Sequence, residues 1–270
     1  MKKGFALVAL AATLCLHGNA HAAAENKAQQ KCINTLNKGM AKLGSAQLKA
    51  SAKCVGTRAK DGTTDASMCL TTDAKVTATQ GKVCDAETAK CTMTPDYGYT
   101  NCGTVNNITP YLCGTQYEGR IFGGGVNAGV TVCSSDKPGC KCQGKVHKSV
   151  NKALATRLKA YNKCKKSGLK AGTITDATTL GNCIFDDTKG KIGKAETKLD
   201  GAVTKKCASV TTPFAMGDCT GLNGASLTSC LVKIERCAAC LTAQAVDALP
   251  VDCDDFDDDI GTNGSCVNDF

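Results

Sequence analysis

Apolar residues recur every three or four positions along two long stretches of the chain. Cys32, Leu36, Met40, Leu43, Ala46, Ala50 and Cys54 mark the first stripe. Cys142, Val146, Val150, Ala153, Arg157, Ala160 and Cys164 mark a similar one, with Arg157 standing in it. A period near 3.6 is one face of a helix. Each stretch runs into a polar turn, Lys60-Asp61-Gly62-Thr63-Thr64-Asp65 in the first and Lys170-Ala171-Gly172-Thr173-Ile174-Thr175-Asp176 in the second, both rich in turn-forming residues. Return helices are expected after the turns, the clearer one carrying Ile192, Ala195, Leu199, Val203 and Cys207.

The two stretches also align with each other. Residues 47–54, Gln-Leu-Lys-Ala-Ser-Ala-Lys-Cys, match 157–164, Arg-Leu-Lys-Ala-Tyr-Asn-Lys-Cys, at an offset of 110, which also carries Cys32 onto Cys142. Further on, Lys75-Val76 meets Lys191-Ile192 at an offset of 116, and so does Cys91 with Cys207. The pattern predicts an internal repeat of two helical hairpins, over 23–91 and 142–210. Between them, residues 92–141 hold nine Gly and five aromatics, Tyr97, Tyr99, Tyr111, Tyr117 and Phe122. Segments such as 126–132 read there as short strands between glycine turns, so a Gly/Tyr/Cys-rich β/loop module is expected. Residues 211–270 contain one convincing helix, about Ser226 to Leu249, and end in an acidic tail. The expected fold class is mainly α: two disulfide-stapled hairpins, a small Gly/Tyr-rich β/loop insert and a helical, acidic C-terminal segment.

Composition changes what must hold this fold together. Leu, Ile, Val and Phe supply 49 of 270 residues and Trp is absent, while 20 residues are Cys. So few large apolar side chains, with a net charge of +9, approach the composition of chains that cannot bury enough surface to fold. Disulfides must therefore carry part of the stability. The N-terminus fits that reading: Met1-Lys2-Lys3, an apolar run from Phe5 to Leu16, then Ala20-His21-Ala22 have the form of a bacterial secretory signal over residues 1–22. Export to a secreted or periplasmic location places the remaining cysteines in an oxidising space. No later stretch approaches the length of a transmembrane helix.

Cysteine spacing predicts pairing. Cys32 and Cys54 lie 22 residues apart, roughly 33 Å along a helix, so they cannot bond each other. An antiparallel hairpin instead sets Cys54 beside Cys69 near the turn and Cys32 beside Cys91 at the open end. The second hairpin pairs Cys164 with Cys183 and Cys142 with Cys207. With two further bridges among Cys102, Cys113, Cys133 and Cys140, and three among Cys219, Cys230, Cys237, Cys240, Cys253 and Cys266, Cys84 is left over. It is a free or interchain thiol, unless the pairing crosses these blocks.

Charge is segregated. Residues 23–210 carry 29 Lys plus Arg against 14 acids, and residues 211–270 carry 2 against 10. Only four residues of the chain are Arg, so the forks and stacking aromatics of a sequence-specific nucleic-acid reader are missing. Such a body suits protein partners or self-association with the acidic tail, or weak attraction to anionic polymers. Within the tail, Asp255, Asp257 and Asp259 have the alternate spacing of a calcium loop, but Gly261 comes one place late and Cys266 stands where a bidentate Glu is needed. No other cofactor is expected.

Catalytic constellations are sparse. His147, the one His beyond residue 22, is placed by this reading on the outer part of a Lys-rich helix. Cys237-Ala238-Ala239-Cys240 has the spacing of a redox dithiol, with Arg236 beside it to favour a thiolate, yet it falls inside a helix rather than at a helix start. The sequence therefore points to an exported, disulfide-rich structural or interaction protein of the cell envelope or extracellular space. A thiol–disulfide oxidoreductase at Cys237/Cys240 and a polyanion- or glycan-binding module are the alternatives.

Overall fold

The computed structural model describes residues 24–254, 256 and 266. The expected signal segment and the calcium candidates Asp255, Asp257 and Asp259 lie outside them. Among the described residues the chain is mainly helical and has no strand.

Two helices of 35 residues dominate, α1 (Lys27–Asp61) and α7 (Lys137–Ala171). Both begin and end 110 positions apart. Each starts at a side chain that accepts a hydrogen bond from a first-turn N–H, Asn26 for α1 and Asp136 for α7, satisfying a donor that would otherwise lack a partner. Each stops at a glycine with a left-handed backbone, Gly62 (φ 69°) and Gly172 (φ 70°), a conformation that costs other residues energy. After short helices α2 (Ala66–Cys69) and α8 (Ala177–Gly181) in the turns, the return helices are α3 (Ala74–Lys90) and α9 (Lys191–Lys206).

Four of these helices lie side by side in the order α3, α1, α7, α9. The central pair is antiparallel: Asn162 Nδ2 donates to the Asn37 carbonyl (2.7 Å) and Asn151 Nδ2 to that of Leu48 (3.2 Å). A second layer covers one side of this row. It consists of α4 (Cys102–Pro110), a π-type turn at Tyr111–Thr115, α5 (Gln116–Phe122) and α10 (Gly224–Asp247). Apolar side chains fill the space between, including Leu36, Met40, Leu43, Leu154, Leu158, Tyr117 and Phe122, each 2 % exposed or less.

The middle of the chain departs from the expected β/loop module. Asn101 caps α4 through a bond from the Thr104 N–H, and the helical path continues through Pro110 into the wider turn, where the missing proline N–H is accommodated. The segment read as a strand opens with a single helical turn, α6 (Val126–Gly129). Its glycine is required because a Cβ on Gly129 would stand 1.9 Å from the Phe122 carbonyl oxygen. Val126, Val130 and Val132 between glycines imitate a strand, but Gly129 serves close backbone packing.

Candidate functional site

The cysteines define how rigid any site can be. Cys32 is bonded to Cys91, Cys54 to Cys69, Cys142 to Cys207 and Cys164 to Cys183, the four cross-hairpin pairs named from spacing. Cys84 is not a free thiol. It is bonded to Cys102, because the face of α3 that carries it packs against the first turn of α4, so the pairing crosses the block boundary assumed from composition. Cys133 is bonded to Cys140. The unbonded cysteine among the described residues is Cys113, fully buried in the π-type turn, and burial pushes its thiol up to about 12. Cys237 and Cys240 do not form a dithiol either: Cys237 is bonded to Cys266 and Cys240 to Cys253. Both are fully buried on α10, whose i, i+3 spacing sends each sulfur to a different part of the C-terminal segment.

A line of polar side chains runs along the inner side of α7. His147 is 1 % exposed rather than on the outer face. Its Nε2 lies 3.0 Å from Oε1 of Glu118 on α5 and 3.1 Å from Nδ2 of Asn151, and its ring meets Phe122 edge-on at 5.0 Å. Three turns further on, Arg157 donates from Nη2 to Glu235 of α10 and to Glu196 of α9, both at 2.6 Å, with a second bond from Nε to Glu235 at 3.1 Å. Burial pushes the Glu235 carboxyl above its usual range against the pull of Arg157. Next come Tyr161 and Lys165, which both donate to Oδ2 of Asp247 at the end of α10, Lys165 at 2.5 Å. Burial lowers the Lys165 ammonium while Asp247 works to retain its proton. Because α7 runs parallel to α10, these pairs lock the register of the two layers. The crevice there, lined by Arg157, Leu158, Tyr161, Ile184, Ala239 and Ala243, has no room for a water molecule. In this position the ionic groups serve the fold.

The opposite side of the same helices is built otherwise. Lys27, Lys31, Lys38, Lys42, Lys49, Lys53 and Lys60 on α1 are all exposed, and so are Lys137, Lys141, Lys145, Lys148, Lys152, Lys159, Lys163, Lys166 and Lys170 on α7. Every one of the α1 lysines has a lysine 110 positions later. The recurring 4- and 7-residue steps keep each set on one side of its helix, turned away from the side where Gln47 approaches Gly114 of the π-type turn and Tyr161 meets α10. Acid is nearly absent: α7 has none and α1 has only its last residue, Asp61. Two adjacent 35-residue helices, each about 50 Å long, thus present one continuous basic face. The paired register was readable in the sequence from the same offset that aligns the cysteines; the buried partners of His147, Arg157 and Lys165 come from remote segments and left no local signal.

No protein-family model, curated protein or solved structure matches this chain. Among the described residues, no group of three or more His, Cys, Asp and Glu side chains is arranged to hold a metal ion, and no helix is long and apolar enough to cross a membrane. The extensive disulfides fit an extracellular or periplasmic setting.

Proposed function

We propose that this is an exported, non-catalytic binding protein, bacterial by the form of its leader, whose working surface is the lysine face of α1 and α7. The single observation that carries the reading is the registered double row of exposed lysines on two disulfide-anchored helices, with almost no acid among them. Unpaired like charges on one face repel each other and weaken the compact state, so a folded protein gains from an anionic partner that covers them. Two copies of one helical hairpin, placed side by side, account for the matching rows and for the cysteine pairs at their ends.

The chemistry of the face favours an extended anionic polymer. Lysine is a mobile point charge that tolerates irregular spacing of anions. The large exposed apolar residues, Met68, Met93, Tyr111, Phe185 and Met216, lie off both helices, so the face lacks the apolar side chains that insert into a lipid surface. Self-association through the acidic C-terminal tail is the second reading, supported by the charge asymmetry of the sequence. The test is retention of the oxidised protein on a polyanionic resin across a salt gradient. Retention at low salt, with elution moved sharply to lower salt by Lys42→Glu/Lys49→Glu/Lys152→Glu/Lys159→Glu, is expected. Flow-through at low salt overturns the reading.

A further inference from the structure

The exposed lysines of the two long helices are spaced by a rule. Along α1, Lys27, Lys31, Lys38 and Lys42 stand at steps of 4, 7 and 4 residues, and the alternation continues to Lys60, so the pattern repeats every 11 residues. The same alternation runs from Lys137 to Lys170 on α7, with Lys145 and Lys166 as the two additions to it. Eleven residues are close to three helical turns. Each set therefore stays within about 80° of arc along its helix and recurs about every 16.5 Å.

The antiparallel packing of α1 on α7 brings the two repeats level. The bond from Asn162 to the Asn37 carbonyl and that from Asn151 to the Leu48 carbonyl fix one register. In it, Lys38 and Lys42 lie level with Lys159 and Lys163, and Lys49 and Lys53 with Lys148 and Lys152. Each group of four is a band across both helices. A further band closes each end, Lys27 and Lys31 with Lys170, and Lys60 with Lys137 and Lys141. Between the two central bands stand Ser45 and Ala46 on α1 and Ala155 and Thr156 on α7, all small, half-buried and uncharged. Each outer gap holds a single lysine, Lys145 in one and Lys166 in the other.

An irregular polyanion gains nothing from banding, but a double helix does. Seen from one side, B-form DNA presents a phosphate backbone wherever a strand crosses, twice in each turn of about 34 Å and so about every 17 Å on average. We propose that the lysine face docks duplex nucleic acid lying along α1 and α7, with the bands on backbone crossings and the gaps over grooves. The proposal rests on the polyanion-binding reading and names its polymer. Mobile lysine side chains absorb the unequal widths of the two grooves. Phosphate contacts alone carry no base sequence, in keeping with the near absence of Arg from these helices: α1 has Arg58, and the Arg157 of α7 is buried. Tyr161, the one Phe, Tyr or Trp on either helix, is buried against Asp247. Unpaired bases thus find nothing on this face to stack on.

Fluorescence anisotropy tests this on the oxidised protein with a labelled duplex of about 20 base pairs, longer than the 50 Å or so of the face. A single strand of the same length and a polyphosphate of equal charge are compared with it across a salt series. The duplex is expected to bind about tenfold tighter than either at equal salt, whatever its base sequence. Two variants with the same loss of charge read the banding. Lys49→Gln/Lys152→Gln takes two lysines from one band and should lower the salt slope on the duplex by about 2. Lys145→Gln/Lys166→Gln takes the two gap lysines and should lower it by less than about 1. On polyphosphate the two variants lose equally. All four side chains are exposed, so the fold is left intact. Equal losses on the duplex, or a single strand bound as tightly as the duplex, overturn duplex docking and leave polyanion binding standing. Binding to none of the three at low salt overturns polyanion binding as well.

Discussion

The two long helices agree in their exposed lysines and differ in the polar positions they bury. At the positions where α7 buries His147, Asn151, Arg157, Tyr161 and Lys165, α1 buries Asn37, Ala41, Gln47, Ser51 and Val55 at an offset of 110. All ten are 6 % exposed or less. Not one of these inner positions matches, whereas each exposed lysine of α1 is matched on α7. An inner face must complement whatever packs on it, and the two helices face different partners: α1 meets α4 and the π-type turn, which offer backbone and small side chains, and α7 meets α5 and α10, which bring Glu118, Glu235 and Asp247. Nothing in the fold imposes a match on the solvent side. Among the buried positions, Cys32 with Cys142 and Leu48 with Leu158 still match, so the divergence lies in the polar side chains that meet different neighbours.

The sharpest test of the inner difference is to remove one buried partner from each helix. Glu235→Ala leaves Arg157, 7 % exposed, facing only the half-open Glu196, and a broken buried pair costs about 3–5 kcal/mol. Gln47→Ala on α1 removes a neutral bond to the Leu70 carbonyl (2.7 Å), at about 1–2 kcal/mol. Urea unfolding of the oxidised variants measures both, and equal losses would dissolve the distinction. Replacing the whole pair, as in Lys165→Met/Asp247→Leu, should cost much less than Lys165→Met alone, since two apolar side chains leave no orphaned charge.

The staples test the likeness instead. Cys32–Cys91 closes a separation of 59 residues and Cys142–Cys207 one of 65. Loop-closure entropy depends only weakly on length at this size, so Ser replacements of either pair should each cost about 2–4 kcal/mol and agree closely. A large inequality would mean that one hairpin is braced by its packing and the other by its disulfide.

On the outer face the expected effect is on binding. Lys38→Glu/Lys42→Glu and Lys148→Glu/Lys152→Glu, equivalent pairs on the two helices, should weaken polyanion binding to the same degree and flatten its salt dependence by similar amounts. Their unfolding free energies should move by no more than about 0.5 kcal/mol. If only one pair matters, the two helices do not form one face.

This division also explains what could be read from the chain. Helices α1 and α7, their glycine stops at Gly62 and Gly172, and the four cross-hairpin disulfides depend on period and spacing, which are local. The Cys84–Cys102 bond, the burial of Cys113 and the helical course of residues 102–122 depend on α4 and α5 folding back over α1, α3 and α10. Glycine-rich composition hid that, because Gly114 and Gly129 are small to allow close packing, not to make turns. His147 was misplaced for the same reason: its partner Glu118 is 29 residues away, and a polar residue between exposed lysines gives no sign of facing inward.

The smallest effect concerns the turns that join each long helix to its return helix. In the first, Asp61 accepts the Thr64 hydroxyl (2.5 Å) and the Thr63 and Thr64 N–H groups (3.0 Å each), and Asp65 accepts the Ser67 hydroxyl (2.5 Å) and Asn127 Nδ2 (2.8 Å). The Thr64 hydroxyl on Asp61 and the Ser67 hydroxyl on Asp65 are the main reasons why both carboxyls are lowered to about 2. A folded value below the unfolded 3.8 means that the unfolded turn binds protons first as pH falls, so the stabilisation is complete above that value and is lost as pH drops through about 2. In the second turn Asp176 is lowered chiefly by the Thr179 N–H, so it too should protonate late. Carboxyl 13C shifts across an acid titration measure all three. Asn127→Ala deletes one donor to Asp65 alone, and its midpoint should rise toward 3.8 while that of Asp61 stays; a joint rise would mean that the turn is ordered as one unit by α6, which carries Asn127, and not by its own side chains.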